Sequence, residues 1–110
     1  SGYKEVNMAI PMYGQNKAGD SLGRLDNILA ASKAWNPGSI ADGDEEALEV
    51  TVPGAALGDF VLSSLSVDII DGVLRGAVTA ADTVTLIIAN NTGSAIDIAS
   101  GTANVLVIKA

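Results

Sequence analysis

The side chains best suited to chemistry are four acids within five residues: Asp42, Asp44, Glu45 and Glu46. Hard cations such as calcium bind several carboxylate and carbonyl oxygens, which makes Asp42 and Asp44 weak candidates for a metal site. The spacing of an EF-hand is absent, and the sequence fixes no distal acid. We therefore interpret this run as a solvated loop in front of an edge strand, and we expect no metal and no other cofactor.

Five further acids are candidates for the carboxylate pair that glycoside hydrolysis requires. Each stands beside glycine, threonine or another turn-forming residue, where an aspartate usually bonds its own backbone. The chain has no histidine and no cysteine, which removes the usual general base, thiol nucleophiles, zinc sites and disulfides. No phosphate-loop pattern occurs. We therefore predict no enzymatic activity and no small-molecule substrate. The five acids are Asp59, Asp68, Asp71, Asp82 and Asp97.

The composition is that of an acidic globular protein. Of 110 residues, 48% are hydrophobic and 17% charged, and 13 acids against 6 bases give a net charge of −7. This length fits one domain with at most an arm. The negative charge disfavours binding to nucleic acid. Apolar runs are only a few residues long and no basic-then-apolar leader is visible, so we expect neither a membrane span nor a signal peptide.

Charge and aromatic content divide the chain near residue 35. Residues 1–40 carry four bases and three acids, whereas residues 41–110 carry two bases and ten acids. Both tyrosines, both methionines and the tryptophan lie within residues 1–35. The sequence Asn36-Pro37-Gly38 favours a turn at this boundary. We predict an N-terminal arm over residues 1–34 and a β-domain over residues 35–110.

The arm combines an apolar extended stretch with a short predicted helix. Residues 7–14 are apolar, and Pro11 excludes a helix interior there. Ser21 is placed to cap a helix over residues 22–29. A short apolar strip of this kind usually docks onto a partner, and folding back over its own domain is the alternative. The candidate docking residues are Tyr3, Met8, Ile10, Met12, Tyr13, Leu22 and Leu25.

Beyond residue 45, apolar and polar residues alternate with a period of two, which predicts strands. Turn signals separate the strands, most clearly the sequence NNTGS at residues 90–94. Short strands between frequent turns are typical of an all-β fold, here a small β-sandwich or jelly roll. The predicted strands cover residues 46–52, 60–65, 73–79, 84–89 and 102–108.

A β-domain of ~75 residues without disulfides is only marginally stable alone, which favours oligomerisation. The last two predicted strands are apolar on both faces, and a neighbouring copy would cover the second face. Arg75 and Lys109 are the only bases beyond residue 40. They are candidates for ion pairs between subunits, and ordinary surface charges are the alternative. With Ile87 they form the predicted inter-subunit contacts.

Several turn motifs in a fixed order resemble small β-rich structural proteins encoded in the head-gene regions of tailed bacteriophages. These motifs are NPGSIADG at residues 36–43, VTVPGAALGD at 50–59, AADTV at 80–84, NNTGSAID at 90–97 and ASGT at 99–102. Proteins of this kind are commonly capsid decoration (cement) proteins, or domains of head fibres and other virion appendages. Residues 1–34 are not part of the shared pattern.

The resemblance implies a homotrimer on the outer surface of an icosahedral capsid, at local three-fold axes, bridging subunits of the major capsid protein. Binding that is specific to the assembled shell stabilises it by mass action, and three arms would act together. The arm would then contact the capsid and the acidic domain would face solvent. The alternative is a receptor- or glycan-binding module of a head fibre or tail appendage. Such a module should display Trp or Tyr, and residues 36–110 contain neither.

Overall fold

The computed structural model of the protein describes residues 27–110. In this range the chain forms β-strands joined by short turns, and the prediction of an all-β fold is confirmed. The strands are β1 (Ile28–Trp35), β2 (Gly38–Ile40), β3 (Glu45–Thr51), β4 (Phe60–Leu65), β5 (Val73–Ala80), β6 (Thr83–Ala89), β7 (Ile96–Ile98) and β8 (Gly101–Ile108).

Two three-stranded antiparallel sheets form the domain. One has the strand order β1-β8-β4 and the other β3-β6-β5, while a short antiparallel ladder joins β2 to β7. The central strands of both sheets bury their inward side chains in a common core, so the sheets pack face to face as a β-sandwich. These inward side chains are Ala103, Val105 and Val107 of β8 and Val84, Leu86 and Ile88 of β6.

Gly76 allows the two sheets to approach each other closely. A Cβ atom at this position would lie 2.6 Å from Leu86 Cδ2 and 3.1 Å from Val61 Cγ1. Leu86 belongs to β6 in the same sheet, and Val61 belongs to β4 in the opposite sheet. Since both neighbours pack in the core, a side chain at residue 76 would force them apart.

Asn90 is fully buried and cross-links three segments of the chain. Its Nδ2 donates to the carbonyl oxygens of Ile40 and Ser94, both at 2.8 Å. Its Oδ1 accepts from the backbone N–H of Thr92 at 3.0 Å and from the Thr92 hydroxyl at 2.7 Å. Its backbone N–H donates to the carbonyl of Asp44 at 2.9 Å. Every hydrogen-bonding position of the amide is therefore used, and the predicted turn is also a core element.

The five predicted strands are present as β3, β4, β5, β6 and β8, each with ends within one residue of the prediction. Strands β1, β2 and β7 were not predicted. Two of these, β2 and β7, have only three residues each, which is too short for a period-two pattern to be recognised.

The helix predicted over residues 22–29 is wrong at its C-terminal end. Ile28 and Leu29 begin β1 and pair with Ile108 and Val107 of β8. Pairing with a central strand outweighs the helical spacing of these apolar residues. Residues 22–25 lie outside the described residues. Residues 28–34, assigned to the arm from the sequence, form most of β1.

Candidate functional site

Among the described residues, the outward side of the β1-β8-β4 sheet carries no charged side chain, and we call it the uncharged face. Strand register aligns its side chains in rows across the three strands. From one end, the rows are Ile28, Ile108 and Phe60; then Ala30, Leu106 and Leu62; then Ser32, Asn104 and Ser64.

The first two rows of the uncharged face expose large apolar side chains. Phe60 is 64% exposed, Leu62 60% and Ile28 41%. Leu106 and Ile108 lie half-buried between them on the central strand. Single exposed apolar residues are ordinary on protein surfaces, but contiguous apolar surface marks a place where another surface binds. The uncharged face is therefore the candidate interaction site of the domain.

Side-chain bulk is distributed unevenly across this face. The β4 margin carries Phe60 and Leu62, whereas the β1 margin carries the small side chain of Ala30 in the second row. A shallow groove consequently runs over Leu106, between Ala30 and Leu62. Such a groove can accept an apolar side chain from a second surface.

The third row of the uncharged face is polar and internally bonded. The Ser32 hydroxyl donates to Asn104 Oδ1 at 2.9 Å. Asn104 Nδ2 donates to the Ser64 hydroxyl oxygen at 3.4 Å, which is a long contact. The amide group on the central strand therefore keeps hydrogen-bonding capacity for a further partner.

An ion pair lies at the apolar end of the same sheet. Lys109 Nζ lies 2.5 Å from Asp59 Oδ2 and also donates to the carbonyl of Gly54 at 2.7 Å. The carboxylate accepts from the backbone N–H groups of Ala110 and Ala56, both at 3.0 Å. The hydrogen bond from Lys109, followed by those from Ala110 and Ala56, lowers the pKa of Asp59 to about 2. The Asp59 carboxylate is thus ionised at neutral pH, and its charge is compensated within the chain by the Lys109 side chain.

The outward side of the β3-β6-β5 sheet, called the charged face, has a different character. Glu45 and Glu49 of β3, Ile87 of β6 and Arg75 of β5 project from it. Arg75 Nη2 lies 3.6 Å from Glu45 Oε2, and both side chains are exposed. Such a surface pair contributes about 0–1 kcal/mol. Val73, at the margin of this face, is 52% exposed.

The three residues predicted as inter-subunit contacts lie in two places. Arg75 and Ile87 are directly opposite each other in the strand register of the charged face. Lys109 follows β8 in the other sheet and pairs with Asp59 of its own chain. The structure does not unite the three residues in one patch, and their contact with another subunit stays a prediction.

Asp42 and Asp44 accept hydrogen bonds from the backbone around the turn between β2 and β3. Asp42 Oδ1 accepts from the N–H of Gly93 at 3.0 Å, and Asp44 Oδ1 accepts from that of Glu45 at 3.0 Å. Within residues 27–110, no three acids are grouped so that they could hold one metal ion. The arrangement of this loop is that of a hydrogen-bonded turn.

Three of the five acids considered for hydrolysis, Asp59, Asp68 and Asp82, accept hydrogen bonds from backbone N–H groups at turns. Asp68 Oδ1 accepts from the N–H of Ile70 at 2.9 Å. Asp82 has a positive φ of 60°, and its Oδ1 accepts from the N–H of Gly54 at 2.8 Å. The turn interpretation is wrong for Asp97, which lies within β7 and pairs with β2. A strand residue in a ladder does not need its side chain to close a turn.

The candidate docking residues of the arm lie outside the described residues, and their contact with a partner stays a prediction. They are Tyr3, Met8, Ile10, Met12, Tyr13, Leu22 and Leu25.

The sequence contains one signal for the uncharged face that the sequence-based prediction did not use. Phe60 and Leu62 alternate with Val61 and Leu65, so β4 is apolar on both sides. The same two-sided apolar pattern in β8 led to the prediction that another copy covers the second face of that strand. No comparable signal marks Ile28, because its spacing from Leu25 favours a helix.

No protein-family model matches the sequence, and no curated protein matches it. Residues 27–110 contain no helix that is long and apolar enough to cross a membrane.

Proposed function

We propose that this chain is a structural virion protein of a tailed bacteriophage, namely a capsid decoration (cement) protein. It binds the outer surface of the icosahedral head as a homotrimer and stabilises contacts between subunits of the major capsid protein. The observation that supports this proposal best is the uneven surface of the domain. One sheet face is uncharged and carries two rows of exposed apolar side chains, although residues 27–110 carry ten acids and three bases.

An apolar face on a small acidic domain supports a role in assembly. Exposed Phe60 and Leu62 gain ~25 cal/mol for each Å² of apolar surface that a protein partner removes from water. The charged face, with Glu45 and Glu49, suits exposure to solvent. Like charges on many copies would keep neighbouring particles apart.

The position where the chain enters the domain supports attachment through the arm. The backbone carbonyl of Asn27 accepts from the N–H of Lys109 at 2.8 Å, directly beside the first row of the uncharged face. If copies assemble in parallel through this face, the segments that precede Asn27 in all copies start from the end of the assembly that carries the first row. Several weak contacts made at one end act at high effective concentration on a repeating lattice.

The hydrogen bonding of the carboxylates supports a structural role over hydrolysis. Asp59, Asp68 and Asp82 each accept a backbone N–H that fixes a turn. Glycoside hydrolysis uses two carboxyl groups that face each other across the bond to be cleaved. Carboxylates committed to different turns are not arranged for that chemistry.

The test is cryo-electron microscopy of the native particle, or of empty shells mixed with the purified protein. We expect density for the β-domain on the outer surface, at three-fold or quasi-three-fold positions between major capsid subunits. Density at a fibre or tail, with none on the shell, would overturn the proposal in favour of the receptor- or glycan-binding alternative.

Two variants separate specific attachment from adsorption of an acidic protein. Deletion of residues 1–20 should abolish shell occupancy, because it removes most of the proposed attachment segment. Val73→Glu adds one charge to the charged face and should leave occupancy unchanged. Full occupancy after the deletion would overturn the role of the arm.

A further inference from the structure

We propose that the uncharged face is the contact between copies of this chain, and that three copies pack it around an axis parallel to its strands. The inference rests on the homotrimer of the proposed function and names its contact surface. The occupant of the face is thus a second copy, with the third closing the ring.

Charge selects this face over the opposite one. Each chain carries a net charge of −7, so copies associate best through surfaces that bring no acids together. The uncharged face meets this condition, and the ion pair of Asp59 and Lys109 at its end is neutral overall. Association through the charged face would place Glu45 and Glu49 against a neighbouring copy. The inference therefore departs from the predicted contact through Arg75 and Ile87, which lie on that face.

The sheet is narrow. Three strands spaced ~4.8 Å apart make a face roughly 14 Å wide, so side chains on both of its margins can reach a neighbouring copy.

The area of the face favours a trimer over a dimer. β1 and β8 contain eight residues each, so the face is roughly 26 Å long. Its flat area, on the order of 370 Å², is under half of the ~800 Å² that each partner buries in a standard interface. A dimer would cover the face once and leave its margins open. Around a three-fold axis each copy contacts two neighbours, so the β1 and β4 margins are buried as well.

The uneven bulk of the face fits a head-to-tail ring. A three-fold contact is heterologous and brings the β4 margin of one copy to the β1 margin of the next. Leu62 of one copy then fills the groove beside Ala30 of its neighbour, and Phe60 packs against the neighbouring Ile28. Bulky side chains meet small ones, which is the complementarity that close packing requires.

Asn104 sets the register of this packing. It lies on the central strand, so the three copies of its side chain meet at the axis, next to the row of Leu106. Its weakly used Nδ2 can donate to the Asn104 of a neighbour. A single polar residue in an apolar contact commonly fixes register and the number of copies.

A cysteine pair tests the contact directly, because the natural chain contains no cysteine. In one copy, residues 30 and 62 both lie opposite Leu106, on strands separated by β8. Two strand spacings of ~4.8 Å exceed the ~7 Å limit for a disulfide, so no bridge forms within a copy. The doubly substituted chain, Ala30→Cys and Leu62→Cys, should oxidise to a covalent trimer on a non-reducing gel. A covalent dimer without trimer, or no cross-link, would overturn the inference.

Sedimentation equilibrium of the full chain at micromolar concentration provides the second test. The wild type should be trimeric. Leu62→Glu should weaken the trimer by about 100-fold or more, since it replaces buried apolar surface by a charge in each of the three contacts. Val73→Glu, the same type of change on the charged face, should leave the trimer intact, and circular dichroism checks that both variants fold. A monomeric wild type, a trimeric Leu62→Glu variant, or dissociation by Val73→Glu would contradict the proposed contact.

These outcomes are independent of the virion test. A trimer that cross-links as expected but is absent from the shell retains the contact and overturns the decoration function. If the protein occupies the shell but the Leu62→Glu variant remains trimeric, the decoration function is retained and the proposed contact is overturned.

Discussion

Replacing Asn90 by alanine removes the side chain that joins β2 to the turn before β7. Four hydrogen bonds of the amide are lost, each with a net contribution of ~1 kcal/mol. Thr92 and Ser94 lie at the surface and regain water, which offsets part of the loss. The buried carbonyl of Ile40 loses this donor. We expect the free energy of unfolding to fall by about 3–4 kcal/mol, out of the ~5–15 kcal/mol typical of a domain.

Urea unfolding measures this change, with the fluorescence of Trp35 as the signal. Trp35 is the single tryptophan of the chain and is 6% exposed, so unfolding moves it from the core into water. For an m-value of ~1.5–2 kcal/mol/M, the midpoint should fall by about 2 M. Wild type and variant must be compared at equal chain concentration, because association adds to apparent stability.

Two further variants make the reasoning refutable. Asn91→Ala, at the exposed neighbouring residue, should change stability by less than about 0.5 kcal/mol. Asn90→Asp keeps the shape but loses both N–H donors at neutral pH, so it should be strongly destabilising at pH 7 and less so at pH 4, where protonation restores one donor. A loss below about 1 kcal/mol for Asn90→Ala would refute the role given to this amide.

Three other substitutions probe separate contacts. The pKa of Asp59 is lowered to about 2, so its carboxylate stabilises the fold above about pH 4 and loses that effect as the pH falls towards 2. Between pH 4 and pH 2, the thermal midpoint of Asp59→Asn should therefore fall less than that of the wild type. Gly76→Ala should cost about 1–3 kcal/mol in urea unfolding, since its Cβ would lie 2.6 Å from Leu86 Cδ2. Asp82→Ala should cost about 2 kcal/mol, because it loses the bond to Gly54 and keeps a positive φ, whereas Asp82→Asn should stay within about 0.5 kcal/mol.

Each of these expectations has an outcome that contradicts it. Parallel losses of thermal midpoint for wild type and Asp59→Asn from pH 4 to 2 would exclude the ion pair as a source of acid sensitivity. If Gly76→Ala were as stable as the wild type, the two sheets would be able to move apart at residue 76 without loss of stability. Equal losses in Asp82→Ala and Asp82→Asn would assign no role to the side-chain oxygen.

Two of the strands that the sequence predicts correctly, the central strands β6 and β8, have one strictly buried side. In β6, buried Val84, Leu86 and Ile88 alternate with less buried residues, and the same period marks β8. Such alternation survives in the sequence because a shift by one residue would turn the apolar set to solvent.

β1 escaped prediction because its inward side is interrupted by a charge. Register places Lys33 opposite inward-facing Ala103, yet its Nζ reaches the carbonyl of Glu49 on β3 at 2.9 Å. An inward charge at a sheet edge is a known device against pairing with further strands. It also breaks the period of two, and the remaining spacing of Ile28 and Leu29 favours a helix.

Two of the hydrogen bonds described above join distant parts of the chain. Asp59 and Lys109 are 50 residues apart, and Asp42 bonds Gly93 across 51 residues. Their types and turn-forming neighbours are visible in the sequence, but which partner each meets depends on strand order. The five predicted strands are compatible with several sandwich topologies, so neither contact follows from the pattern alone.

We propose different parts of one chain for assembly and for attachment, which fits its uneven composition. In this proposal the uncharged face supplies apolar surface for contact between copies, and the arm binds the shell. The carbonyl of Asn27 is held by the N–H of Lys109 at the apolar end of the face, and all three arms of a trimer would therefore start at the same end of the assembly. Loss of the trimer would leave each arm to bind alone and weaken shell binding through lost multivalency. Loss of the arm would abolish shell binding while the trimer persists, so Leu62→Glu and the deletion of residues 1–20 should fail in different assays.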